Sequence, residues 1–164
     1  MSVSVAYQAK VAVTETLEAN VPATPSGSRS VVHSAWDSTK TLKNNSTPPA
    51  TKVAAFEQAL STGTATIDLT AMSGTNGATV NGTGLRVQVL RVKAPATNGN
   101  PITIAKGASN GYDGLGASFS HTLVPGGEAT FFLNDAGGDI GASNKTLDLA
   151  GTGSQVLQVE AVLG

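Results

Sequence analysis

Residues 134–139 read NDAGGD: two carboxylates and an amide around paired glycines, in a chain whose charged residues amount to 13%. Asp135 and Asp139 come nearest to a cation site, because hard cations such as calcium take oxygen ligands. A calcium shell needs about six to eight oxygens. The stretch lacks the EF-hand order of acids and holds only one fragment of a Gly-Gly-x-Gly-x-Asp repeat. The bland alternative is a turn in which Asn134 or Asp135 caps the backbone while Gly137 and Gly138 take positive φ. A second candidate is the pair Tyr112 and Asp113 in GYDGLG, residues 111–116. An aromatic ring set among glycines is expected to be exposed, where it could meet a small sugar or a receptor. Nothing helical follows this glycine-rich loop, so it has no helix N-terminus to offer a phosphate.

Nucleophilic and acid–base chemistry finds little support. The two histidines, His33 and His121, fall in different strand-like segments. In ASFSHTL, residues 117–123, Phe119, His121 and Leu123 share one face, which places His121 at a core boundary or an interface. Ser118, His121 and some aspartate could be drawn as a triad, but no nucleophile elbow of the G-x-S-x-G kind is present. HExxH, P-loop and dinucleotide-binding patterns are absent as well. Glycoside hydrolysis needs two carboxylates facing each other across a cleft, and aromatic residues to line one stand at 4%. Without cysteine there is no disulfide, thiolate nucleophile or Cys-based zinc site. The expectation is a non-enzymatic chain with no cofactor.

The elements that would carry these residues are strands. Val3, Val5, Tyr7, Ala9, Val11 and Val13 alternate with more polar residues, the period of a half-buried strand. A loop with two prolines follows at residues 20–28, then an extended segment containing Trp36 at residues 31–42, then the break KNNSTPPA. Residues 52–60, KVAAFEQAL, mix helical spacing with strand-like neighbours; their shortness favours strand. From Thr64 onward the pattern is plainly β, with TATIDL, LRVQVLRV, PITIA, ASFSHTL, EATFFL, KTLDL and SQVLQVEAVL separated by Gly-, Asn-, Asp- or Pro-bearing connectors. In VPGG, Pro125 presets a turn and Gly126 supplies the positive φ of type II. Eight to ten short strands at regular spacing predict an all-β fold, an antiparallel β-sandwich or jelly roll with an extended N-terminal strand or arm. The expected organisation is an arm at residues 1–50 and a sandwich at 51–164, forming one structural unit. An internal echo runs through the sandwich. TIDL and a later Gly-Thr-Gly precede one long strand, while TLDL and a second Gly-Thr-Gly precede another, so two similar strand–turn–strand edges are expected.

Composition bounds the partners. At 164 residues one domain with a real core is expected. A net charge of −1 gives no long-range attraction for nucleic acid or anionic membrane. A surface built from Thr, Ser, Asn and Gly instead desolvates cheaply and suits assembly. No Sec signal pattern opens the sequence and no apolar run approaches the ~18 residues of a membrane span. Synthesis in a cytoplasm and a soluble product are expected.

From about residue 51 the order of phrases resembles small virion structural proteins of tailed bacteriophages. The carrying stretches are KVAAFEQALSTGTATIDLTAMSGTNGATVNGTGLRVQVLRV, NPITIAKGASNGYDGLG, LVPGGEATFFL and KTLDLAGTGSQVLQVEAVLG. The resemblance implies a β-sandwich of the capsid-decoration or head-fibre type, located in the virion after assembly in the host cytoplasm. It implies a homo-oligomer, often a trimer, bound to the major capsid protein or another virion protein, with no nucleic acid and no membrane as partner. It transfers no active-site residue. The rival expectations are a receptor- or glycan-binding adhesion module and a subunit of an extracellular filament. The first fifty residues lie outside the resemblance, and their strand could add to another chain's sheet edge. Val3, Val5, Tyr7, Val11 and Trp36 are the expected interaction residues there, with Tyr112 and Asp113 on a sandwich loop.

Overall fold

A computed structural model describes residues 3–11, 14–16, 30–32 and 36–164. The chain divides into two compact units, Val5–Leu42 and Met1–Ser4 with Lys43–Gly164. Strand dominates throughout, and the described residues include one short 3-10 turn at Ala96–Asn98.

Strands β1 (Ser4–Val11) and β4 (Trp36–Lys43) form a two-stranded sheet, and β2 (Thr14–Thr16) pairs antiparallel with β3 (Ser30–Val32). Val3, Val5 and Tyr7 are half-buried while Ser4, Ala6 and Gln8 are exposed, as the alternation predicts. Ala9 departs from that pattern and is exposed.

The second unit is the antiparallel sandwich that the turn spacing predicts. Its front sheet has the order β12-β9-β14-β5, made of β5 (Lys52–Ala59), β9 (Val87–Lys93), β12 (Glu128–Phe132) and β14 (Val156–Leu163). Its back sheet has the order β11-β10-β13-β6, made of β6 (Thr64–Asp68), β10 (Ile102–Lys106), β11 (Ser120–Leu123) and β13 (Thr146–Ala150). A small hairpin, β7 (Met72–Ser73) with β8 (Thr79–Val80), packs beside β5. Residues 52–59 are therefore strand. Apart from a register shift between Val162 and Leu163, the β14 ladders run cleanly, setting Val159 between Phe56 and Val92 and Ala161 between Ala54 and Leu90. Those residues meet Ile67, Ile102, Ile104, Leu147 and Leu149 of the back sheet in one core.

The sequence echo has a structural basis different from the one expected. β6 and β13, which carry TIDL and TLDL, are hydrogen-bonded neighbours, with Ile67 opposite Leu147 and Asp68 opposite Thr146. The long strands that follow the two Gly-Thr-Gly turns, β9 and β14, are neighbours in the other sheet. Each turn ends on a glycine of positive φ, Gly84 at 77° and Gly153 at 72°. The two copies thus cross from back sheet to front sheet side by side. Only β6 is a sheet edge; the other three strands are interior.

Candidate functional site

The NDAGGD segment turns the chain just after β12. Positive φ falls on Asn134 (49°) and Asp135 (66°), a correction to the expectation that Gly137 and Gly138 would take it. Asn and Asp tolerate the left-handed region because their short polar side chains bond locally. The glycines serve close approach instead. A Cβ on Gly137 would stand 2.6 Å from Tyr112 Oη, and one on Gly138 would stand 3.0 Å from Asn144 Nδ2.

Both carboxylates of the segment are turned on one arginine. Arg86 Nε donates to Asp139 Oδ1 at 2.7 Å, and Arg86 Nη1 lies 3.6 Å from Asp135 Oδ1 while donating to the Asp135 carbonyl at 3.2 Å. Buried Gln88 completes the hold. Its Nε2 donates to Asp135 Oδ1 at 3.0 Å and its Oε1 accepts the Asp135 N–H at 3.0 Å. The oxygens that a cation would need are thus paired with a guanidinium and an amide. Among the described residues no group of three or more His, Asp or Glu is placed to hold a metal.

Tyr112 is enclosed rather than exposed, which corrects the reading of this ring as a sugar or receptor contact. It is 0% exposed, and its Oη accepts the Val87 N–H at 3.1 Å. Gly107 N–H and Tyr112 N–H both donate to the Thr146 carbonyl, anchoring the loop to β13. Gly114 and Gly137 leave the space that the ring occupies. Burial pushes the phenol above its usual pKa. Neighbouring Asp113 is exposed, and its N–H donates to Asn144 Oδ1 at 2.9 Å.

His121 points between the sheets, half-buried, with its ring edge-on to Phe131 at 5.5 Å; Phe119 packs on the same phenylalanine at 5.3 Å. No hydrogen bond among the described residues joins Ser118 to His121. The imidazole helps close one side of the sandwich, where end strands β11 and β12 meet. His33 lies outside the described residues, as do the side chains of Val11 and Trp36.

The outward faces of the two sheets differ in chemistry. On the front sheet Arg91 bridges Glu128 at 2.9 Å and Glu160 at 3.0 Å, and Ala55 leaves a shallow depression of about 300 Å³ bordered by Glu57, Arg91, Lys93, Gln158 and Glu160. The back sheet turns out Thr64, Thr66, Thr103, Ser120 and Thr122, with Asp148 bonded to Thr66 Oγ1 and to the Ala108 N–H, each at 2.8 Å. Sequence reading missed Arg86, Gln88 and Gln155. Their signal was present, since a polar residue inside an apolar strand, such as Gln88 in RVQVL, must find a partner when buried. Gln155 is 4% exposed and bonds the Thr152 N–H and the carbonyls of Asn100 and Pro101. Among the described residues no buried side-chain nitrogen or oxygen lacks a hydrogen-bond partner. No family model, curated protein or solved structure matches this chain.

Proposed function

We propose that this chain is a non-enzymatic structural protein of a tailed-bacteriophage virion, a decoration or cement protein that binds and stabilises the head as a homo-oligomer. The observation that carries assembly is the contrast between the two units. The sandwich closes on its own core, whereas the described residues of Val5–Leu42 form two-stranded sheets. Two-stranded sheets are marginal alone in water and gain stability by adding a strand or covering a face. Such an arm is suited to pairing with a partner, whose sheet edge would supply main-chain hydrogen bonds. The virion and the capsid partner rest on the resemblance of residues 51–164 to phage structural proteins.

A neutral chain with few charges also packs many copies closely without mutual repulsion. The adhesion reading loses its principal contact, because the Tyr112 ring is enclosed. Electron cryo-microscopy of virions from a phage encoding this chain tests the proposal. Density for the sandwich repeated over the head lattice is the expected result. Density confined to a tail tip, or no copies in the particle, would refute it.

A further inference from the structure

Asn76, Asn81, Asn98 and Asn110 each precede a glycine. In such a pair the glycine nitrogen can reach Cγ of the asparagine, because no side chain on the glycine stands in the way. Attack there closes a cyclic imide and releases ammonia, and the fold holds the four pairs very differently. The Asn98 amide is clamped from both sides, Nδ2 donating to the Val156 carbonyl at 2.8 Å and Oδ1 accepting the Val156 N–H at 3.0 Å. The Asn110 carbonyl accepts the N–H groups of Lys145 and Thr146, and Gly111 lies too close to the Gly107 carbonyl for its peptide to turn. Gly82, after Asn81, is buried, and its N–H donates to the Leu69 carbonyl at 3.0 Å. Asn76 sits at the tip of the β7–β8 hairpin, where Thr75, Asn76, Gly77 and Ala78 are all exposed. Gly74 N–H donates to the Ala78 carbonyl and Gly77 N–H to the Gly74 carbonyl, each at 2.8 Å, and Gly77 has φ of 77°. That is a three-residue loop, a type I turn closed by a glycine bulge. Beyond its chain neighbours nothing lies within 4 Å of the place a Gly77 Cβ would take. The bonds that hold Gly77 stay within the hairpin, so local opening frees its nitrogen.

We infer that Asn76 is a site of spontaneous deamidation in the folded protein, while the fold protects the other three pairs. The Asn76 side chain is already curled towards the backbone that follows it, since Oδ1 accepts the Ala78 N–H at 3.1 Å. The curl keeps Cγ near the Gly77 nitrogen, and the Ala78 N–H stabilises negative charge on Oδ1 as that nitrogen adds. Asn81 has the same curl, with Oδ1 accepting the Thr83 N–H at 2.8 Å, so it differs from Asn76 chiefly in the burial of its glycine. Hydroxide removes the Gly77 amide proton and the Gly77 nitrogen bonds Cγ. The Cγ–Nδ2 bond then breaks, and Nδ2 leaves as ammonia after taking a proton from water. Water next opens the imide. Cleaving the new bond to Cγ gives aspartate, and cleaving the bond between the main-chain carbonyl carbon and the Gly77 nitrogen gives isoaspartate. Each event adds a negative charge to a chain of net charge −1. Isoaspartate also puts an extra carbon into the main chain, which lengthens the loop and breaks its closure on the Gly74 carbonyl. The strands beneath are short, Met72–Ser73 with Thr79–Val80, and Met72 is buried in the core with Val80 packed against it. This hairpin is therefore where the sandwich ages first.

The test follows the four amides over time. The full chain is held folded at mildly alkaline pH, sampled over days, digested and mapped by mass spectrometry, beside a sample unfolded in guanidinium. A sample taken at the start corrects for conversion during digestion. In guanidinium the four pairs are expected to convert at similar rates. In the folded chain Asn76 should gain the mass of the acid, in aspartyl and isoaspartyl forms, at least about tenfold faster than Asn81, Asn98 or Asn110, the ratio that about 1.4 kcal/mol of extra opening cost imposes. Asn76→Gln, whose longer side chain closes the imide far more slowly, should stay an amide at that position. Hydrogen exchange reads the consequence. The aged chain should lose protection at the Gly74 and Gly77 amides, whereas Asn76→Asp, which adds the charge without the extra carbon, should keep it. An Asn76 that stays an amide in the folded chain, or any of the other three converting as fast as Asn76, overturns the proposal.

Discussion

Replacing Tyr112 by Phe removes one oxygen and tests how the loop end of the sandwich is held. The Tyr112 ring is fully buried, and Oη is the acceptor for the buried Val87 N–H at the start of β9. Leaving a buried donor without a partner costs roughly 1–3 kcal/mol. At the middle of that range, a domain of this size loses about 4–8 °C in melting temperature. The assay is thermal and urea unfolding of the sandwich, with the urea slope expected to stay constant because the fold is unchanged. Gly137→Ala adds a second arm, since its Cβ would approach Tyr112 Oη to 2.6 Å. In the Tyr112→Phe background that oxygen is gone, and the next atom met is Gly114 Cα at 3.2 Å. Gly137→Ala is therefore expected to cost less there than in the native chain, with a coupling above about 0.5 kcal/mol. Full native stability in Tyr112→Phe, or strictly additive effects, would refute the account of Tyr112 as the keystone of the NDAGGD and GYDGLG loops.

Other expectations follow from the same contacts. Arg86→Ala should speed amide exchange and proteolysis across residues 134–139, because Asp135 and Asp139 lose their shared cation; unchanged protection would contradict that role. Millimolar calcium should leave the melting temperature of the native chain unmoved, and a rise abolished by Asp139→Ala would show a cation site. The Tyr112 phenol is raised in the folded state, so its contribution is complete below about pH 10, the unfolded tyrosine value, and falls as pH climbs beyond it. Tyr112→Phe should flatten that alkaline loss in pH-dependent unfolding. Burial pushes the Asp68 carboxyl up, but the bonds from Lys145 and Thr70 outweigh it and hold the group below its usual value. The contribution of Asp68 is therefore present above about pH 4 and is lost as pH falls through the folded value, so Asp68→Asn should weaken the acid dependence of stability. Gly126→Ala should destabilise the VPGG turn by about 1 kcal/mol, since Gly126 has φ of 81°.

Local physics made much of the fold legible. Alternation marked β6, β9 and β14, and Pro125-Gly126 announced a type II turn that the structure closes with a Gly127 N–H to Val124 carbonyl bond. Two-residue periodicity gives the face of each strand but not its neighbour, so the partition into sheets was not readable. Nothing local in TIDL or TLDL says that β6 and β13 pair. Tyr112 was misread for a related reason. Its glycine neighbours looked like an exposed loop, yet Gly114 and the distant Gly137 are small because the ring lies against them. Arg86 illustrates the same limit, since it reaches carboxylates some fifty positions away. The acidic cluster was visible in the sequence, and the cation that answers it required the fold.

Sedimentation velocity of the full chain beside a chain lacking residues 1–42 tests assembly through the N-terminal unit most directly. The account predicts a discrete oligomer for the full chain and a monomer for the shortened one, whose sandwich still melts cooperatively. A full chain that stays monomeric, or oligomers that survive loss of those residues, would contradict it.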